Sequence, residues 1–188
     1  SVLHRPNLPD KFKGWALASL AEDFRMSGML DRALRTYSDA FNLNPTNQAT
    51  LQRYVHLCKQ VGDYEKLLSL MDVLSNAGLV DEDRYRMEVA FIYNELGEAQ
   101  VREENVAEAE RLFAKALQLN SKTYPAYLNL ARLHIDRNNE KKALSFLQKL
   151  FHTVPEKAFL GLPMFCPTFH HHVHKAANFY LQVLQLEL

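Results

Sequence analysis

The sequence repeats with a period of 34 residues, which restricts the chain to a stack of similar modules. Counted from Gly14, the residues Leu17, Leu20, Ala21, Phe24, Gly28, Ala33, Tyr37, Ala40 and Pro45 take places 4, 7, 8, 11, 15, 20, 24, 27 and 32. Counted from Tyr124, the residues Tyr127, Leu130, Ala131, Ala143, Leu147, Leu150 and Pro155 take places 4, 7, 8, 20, 24, 27 and 32. Apolar residues three and four apart define one buried stripe per helix. A break at place 15 divides each module into two helices. One such hairpin cannot bury its own stripe, so successive hairpins must stack.

The period divides the chain into segments. Residues 1–13 form an extended lead with Pro6 and Pro9, then a helix start with Asp10 in the N-cap place. The first module covers 14–47, with helices over 10–27 and 30–43 broken by Gly28. The second covers 48–81 and places Leu51, Tyr54, Val55, Cys58, Gly62, Met71 and Leu74 in register. Leu67 stands at place 20, where a small residue is usual, and predicts a wider helix crossing there. Asn76-Ala77-Gly78 ends its second helix. The third module, 90–123, is fixed by Ala109, Phe113, Ala116 and Ser121, which bring Leu96 and Gly97 to places 7 and 8. Residues 82–89 are left over; their acidic start suits a helix N-terminus. They predict one helix over 82–103 that projects roughly two turns beyond its neighbours. The fourth module covers 124–157. Residues 158–188 read as a degenerate fifth, through Ala177, Leu181 and Leu184, with Pro163 and Pro167 interrupting its first helix.

Composition narrows the function. The 22 basic and 22 acidic residues cancel, which argues against a nucleic-acid or anionic-membrane binder working by bulk charge and leaves a local charged groove open. An apolar content of 47% excludes a disordered chain. Two cysteines make no disulfide framework and suit a reducing compartment. The sequence has no apolar run long enough to span a membrane and opens with no signal peptide. Ser1 at the start and the uncapped apolar stretch Leu181 to Leu188 are what a segment of a longer protein is expected to show.

The period, the small residues at places 8 and 20 and the proline at place 32 resemble the tetratricopeptide repeat family. The resemblance implies an all-α, right-handed superhelix (an α-solenoid) of four repeats and a degenerate fifth, holding other proteins or peptides in its concave groove. In that family the first helix of each pair lines the groove through places 2, 5, 9, 12 and 13. The partner-binding candidates on those places are Trp15, Glu22, Arg25, Gln52, His56, Lys59, Asn94, Glu98, Arg102, Arg132 and Asp136. Such a mixture of charge, amide and apolar groups suits an extended peptide or a partner helix. Trp15 reads equally as packing on the Pro6–Pro9 lead. Glu22, Glu98 and Arg132 read more readily as a solvated helix face than as partner contacts, and Cys58 reads as a small core residue. Asn94 is mid-helix, where Asn is unfavourable, and so points toward a role. Chaperone-binding members hold a C-terminal carboxylate with paired Lys and Asn. Here the matching places hold Ala18 and Glu22, which argues against that mode.

One cluster looks like chemistry. His170 and His174 would share a helix face, with Cys166 one turn earlier, a usable metal-ligand spacing. Ligands along one helix cannot surround a tetrahedral ion without help, so these are weak metal candidates beside the reading of a solvated turn or capping helix. No cofactor is expected. The sequence carries no Gly-rich phosphate loop, G-x-S-x-G elbow or H-E-x-x-H, and an enzyme is not expected.

A narrower resemblance rests on His4-Arg5-Pro6-Asn7-Leu8-Pro9, on Ala16 to Leu34 with Leu30-Asp31-Arg32-Ala33, and on Glu88 to Leu96 opening a long helix. These are similar to the middle of the lipopolysaccharide assembly protein B family. That resemblance implies the repeat portion of a bacterial regulator of lipopolysaccharide synthesis, acting through a membrane protease at the cytoplasmic face of the inner membrane. The alternatives are a generic peptide-binding or co-chaperone module and the non-catalytic arm of a larger enzyme.

Overall fold

The computed structural model describes residues 9–154. The fifth module and the start of the lead lie outside them. Among the described residues the chain forms eight helices and no strand: α1 (Asp10–Met26), α2 (Leu30–Leu43), α3 (Gln48–Val61), α4 (Tyr64–Asn76), α5 (Glu82–Arg102), α6 (Val106–Leu119), α7 (Tyr124–Asp136) and α8 (Glu140–Thr153). Two compact units divide the chain, Ser1–Leu96 and Gly97–Leu188.

In the first unit α1 packs on α2, α2 on α3 and α3 on α4, each helix against its neighbour in sequence. Ala21 and Ala33, at places 8 and 20, are both fully buried, and their small side chains let α1 and α2 approach closely. Tyr37 stacks on Tyr54 with ring centroids 6.1 Å apart and ties α2 to α3. In the second unit α6 packs on α7 and α7 on α8. Its core is built from Ala109, Phe113 and Ala116 on α6, Leu130 and Ala131 on α7, and Ala143 and Leu150 on α8. Gly97, at place 8, lies against Phe113: a Cβ there would stand 2.6 Å from the ring.

The turn inside each module is the same device four times. Gly28, Gly62, Glu104 and Asn138 all stand at place 15, and all have positive φ (75°, 76°, 59° and 55°). In each turn the next residue donates its N–H five residues back: Met29 to Phe24, Asp63 to Cys58, Asn105 to Gln100 and Asn139 to His134. That bond closes the helix end only when the residue before the donor is left-handed.

Two expectations are corrected. Pro9, not Asp10, holds the N-cap of α1; Asp10 is its first helical residue, where its charge suits the helix dipole. The first turns of α5 are also not an overhang. The Tyr85 hydroxyl donates to Asp72 of α4 at 2.6 Å, Lys59 of α3 pairs with Glu88, and Val89 is buried. The cause is a change of frame. Elsewhere helix faces meet late places against early ones: Tyr37 (place 24) on Tyr54 (place 7), Glu110 (21) facing His134 (11). The α4–α5 contact of Asp72 (place 25) with Tyr85 keeps that relation only when α5 is counted from Glu82, which puts Tyr85 at place 4. Gly97 against Phe113, a contact inside one module, takes the module's places 8 and 24 when α5 is counted from Ala90. One 21-residue helix thus carries two overlapping frames; of the surplus residues Tyr85, Glu88 and Val89 face the neighbouring helices, while Glu82, Asp83, Arg84, Arg86 and Met87 stay exposed.

Candidate protein-binding faces

The candidate side chains of the first unit come from α1, α3 and the first part of α5. Trp15 is 43% exposed. Phe12 meets its ring edge-on at 5.3 Å, and the Lys11 ammonium lies 5.1 Å from the ring centroid. Glu22 is held from two sides: Arg25 donates at 2.7 and 3.1 Å, and the Tyr37 hydroxyl donates at 2.6 Å. These bonds, the Arg25 bond first, bring the Glu22 carboxyl down to about 2. Burial, and then the bond to Glu22, pushes the Tyr37 phenol up. Glu22 and Arg25 therefore satisfy each other within α1.

On α3, Gln52, His56 and Lys59 all stand exposed along one side of the helix. Asn47 caps that helix, its side chain accepting from the Thr50 N–H at 3.2 Å. Lys59 is engaged by Glu88 at 2.5 Å. Asn94 departs from expectation: it is 1% exposed and offers no groove contact. Its amide donates to Glu95 at 3.3 Å, and Glu95 also accepts from the Tyr64 hydroxyl at 3.2 Å. The mid-helix Asn is thus a buried amide tied into a half-buried chain of hydrogen bonds with Glu95 and Tyr64, which accounts for its presence without a ligand.

In the second unit Glu98 is half-buried and accepts from the Asn129 amide at 3.0 Å. Arg102, Arg132 and Asp136 are exposed. Arg132 and Asp136, four apart on α7, share a helix face.

Sequence reasoning missed two residues. Arg53, exposed at place 6 of α3, lies close enough to Glu22 to help keep that carboxyl low. Its signal was available: α3 contains basic side chains and no acid. His134 of α7 is buried, stacked parallel on Phe146 at 5.6 Å, with its Nε2 3.4 Å from Glu110 and without a hydrogen bond. Nothing in the period marks it, because place 11 simply asks for a core residue. Among the described residues no group of three His, Cys, Asp or Glu side chains is arranged to hold a metal. Cys166, His170 and His174 lie outside the described residues. None of the described helices is long and apolar enough to cross a membrane.

Residues 100–162 match the family model described as tetratricopeptide repeat. Two crystal structures of MamA are similar along most of their length. One is 18% identical, covering 92% of this chain and 90% of that one with a TM-score of 0.50; the other is 19% identical, covering 89% and 94%, also at 0.50. MamA residues 41 to the end, from Desulfovibrio magneticus RS-1, are 17% identical over 77% of each chain with a TM-score of 0.46. At such identities likeness shows the fold alone. No curated protein matches in sequence. The class these observations define is an all-α solenoid of helical hairpins. It is a tetratricopeptide-type fold, and the matched repeat supports that family and its general role as a protein-interaction module.

Proposed function

We propose that the chain is a scaffold that binds protein or peptide segments on the exposed faces of its first helices, and does no chemistry of its own. One observation carries this reading. Short, capped helices hold Trp15, Gln52 and His56 exposed in the first unit and Arg132 and Asp136 in the second, while the alanines at places 8 and 20 are buried. A rigid backbone thereby presents an aromatic ring, amides and charges at fixed spacing, the chemistry that extended peptides and partner helices require. Binding would occur face by face, with no nucleic acid and no cofactor.

The test is capture from a lysate of the source cell by the full chain, compared with a Gln52→Ala/His56→Glu variant and an Arg132→Glu variant. Loss of a captured protein by either, with unchanged circular dichroism, supports the reading. Identical capture by all three moves the interface off these faces. Glu98 is a poor probe, because its bond to Asn129 joins α5 to α7.

A finer reading supported by the resemblance of 4–9, 16–34 and 88–96 is the repeat portion of a bacterial regulator of lipopolysaccharide synthesis, working at the cytoplasmic face of the inner membrane through a protease. A longer reading frame tests it: an upstream apolar span and a downstream pair of C-x-x-C motifs are expected, and their absence overturns it. A generic peptide-binding module or the arm of a larger enzyme would then remain.

A further inference from the structure

We propose that the α3 face of the first unit selects partner segments that carry carboxylate side chains beside apolar ones. This rests on the reading that first-helix faces bind protein, and adds the chemistry of the partner. From Gln48 to Val61 the helix contains Arg53, His56 and Lys59 and no Asp or Glu. Of the acids its neighbours bring to it, Glu22 is engaged by Arg25 and the Tyr37 hydroxyl and Glu88 by Lys59, while Asp39 and Asp63 lie toward Tyr54, Asp63 accepting from the Lys66 N–H. Arg53 and His56 are exposed and have no ion-pair or hydrogen-bond partner among the described residues. Glu22, Arg25 and Arg53 together carry one uncompensated positive charge.

The apolar half of the recognition lies on the flanking helices. Trp15 is 43% and Met26 73% exposed on α1, and Met87 is 53% exposed on α5. A purely apolar segment laid on this face would strip water from the Arg53 guanidinium without replacing its hydrogen bonds. A basic segment would add like charge. A segment with an acid flanked by apolar residues meets the guanidinium with a charge-assisted bond and offers apolar contact to the helices that reach α3 through Glu22 and Glu88.

The experiment selects displayed random short peptides on the full chain. Synthetic copies of the winners are then titrated by fluorescence anisotropy at low and high salt. Arg53→Gln, Gln52→Ala and Arg132→Gln proteins are compared, each checked by circular dichroism. Acid-containing winners are expected, bound about three- to tenfold more weakly by Arg53→Gln and unaffected by Arg132→Gln. Replacing the peptide's Glu or Asp by its amide should weaken binding similarly and abolish the difference between wild type and Arg53→Gln. Neutral or basic winners that still depend on Gln52 would overturn the acid preference and leave the face reading intact. Winners indifferent to both α3 variants, or no winners, overturn the proposal, and with indifference the α3 part of the face reading falls as well.

Discussion

Glu22 in the first unit and Glu98 in the second stand at place 9 of their modules, and the structure holds them differently. Glu22 is bound by a guanidinium and a phenol, with Arg53 nearby at place 6 of the next module. Glu98 is bound by the Asn129 amide, and Asn129 is itself at place 6 of the next module. The link from place 9 to place 6 recurs because a period of 34 residues brings those side chains together in each unit. Its chemistry is free to vary. The period therefore fixes where a side chain stands, while its neighbours decide what it does, and places 20, 8, 9 and 15 each give a way to test that separation.

Place 20 should give the largest effect. It holds Ala33, Ala109 and Ala143, all buried, and Leu67, also fully buried. If matching the period were what stabilises, Leu67→Ala would be harmless. Because the local core has formed around the larger side chain, it is expected to cost about 2–4 kcal/mol in urea unfolding. A change near zero would mean that α3 and α4 close over the gap. Place 8 comes next: Ala21 and Ala131 fit there, yet Gly97→Ala must push the buried Phe113 ring. The expected net loss is about 1–2 kcal/mol, overpacking outweighing the gain in helix propensity. A stabilised variant would show that the ring has room to move.

Those same places mark how far the sequence alone reached. The bounds of α2 and the ends of α3 and α4 follow from apolar spacing and from Gly62 and Gly78, which are local signals. The exposed character of Gln52, His56 and Arg132 follows from place alone. The burial of Asn94 is not legible in its place, because its hydrogen bond runs to Glu95, which is held in turn by Tyr64 from another helix. The packed start of α5 was misjudged for a related reason. A continuous helix has no punctuation where its frame changes, and only packing on α4 reveals it. Arg53 was overlooked because its significance lies in a missing charge on α3 rather than in a motif.

Place 9 gives a pH test. The bonds from Arg25 and Tyr37 hold the Glu22 carboxyl down to about 2 in the folded chain, below its ordinary value of 4.5. A lowered folded value means that the stabilisation is complete above the ordinary value and disappears as pH falls from there through about 2. Glu22→Gln is therefore expected to lower stability by about 1 kcal/mol at neutral pH and by nothing near the acid end. Urea midpoints at several pH values read this directly. Glu98→Gln keeps a carbonyl for the Asn129 amide and is expected to lose less, about 0.5 kcal/mol or under. Equal losses would break the distinction between the two clamps.

The only gain is expected at place 15. All four turns need a left-handed residue there; Gly28 and Gly62 adopt it without penalty, whereas Glu104 does so at φ 59° with a Cβ in the way. Asn138 is intermediate, since Asn tolerates this region better than other side chains. Glycine also has more freedom to lose from the unfolded chain, which offsets part of the relief. The balance favours Glu104→Gly by about 0.5–1 kcal/mol and leaves Asn138→Gly within about 0.5 kcal/mol of wild type. The order of the two midpoints in urea is the measurement. If Glu104→Gly proved the less stable protein, the exposed Glu104 side chain would have to be stabilising its turn by more than its backbone strain costs, and place 15 would no longer be a purely backbone requirement.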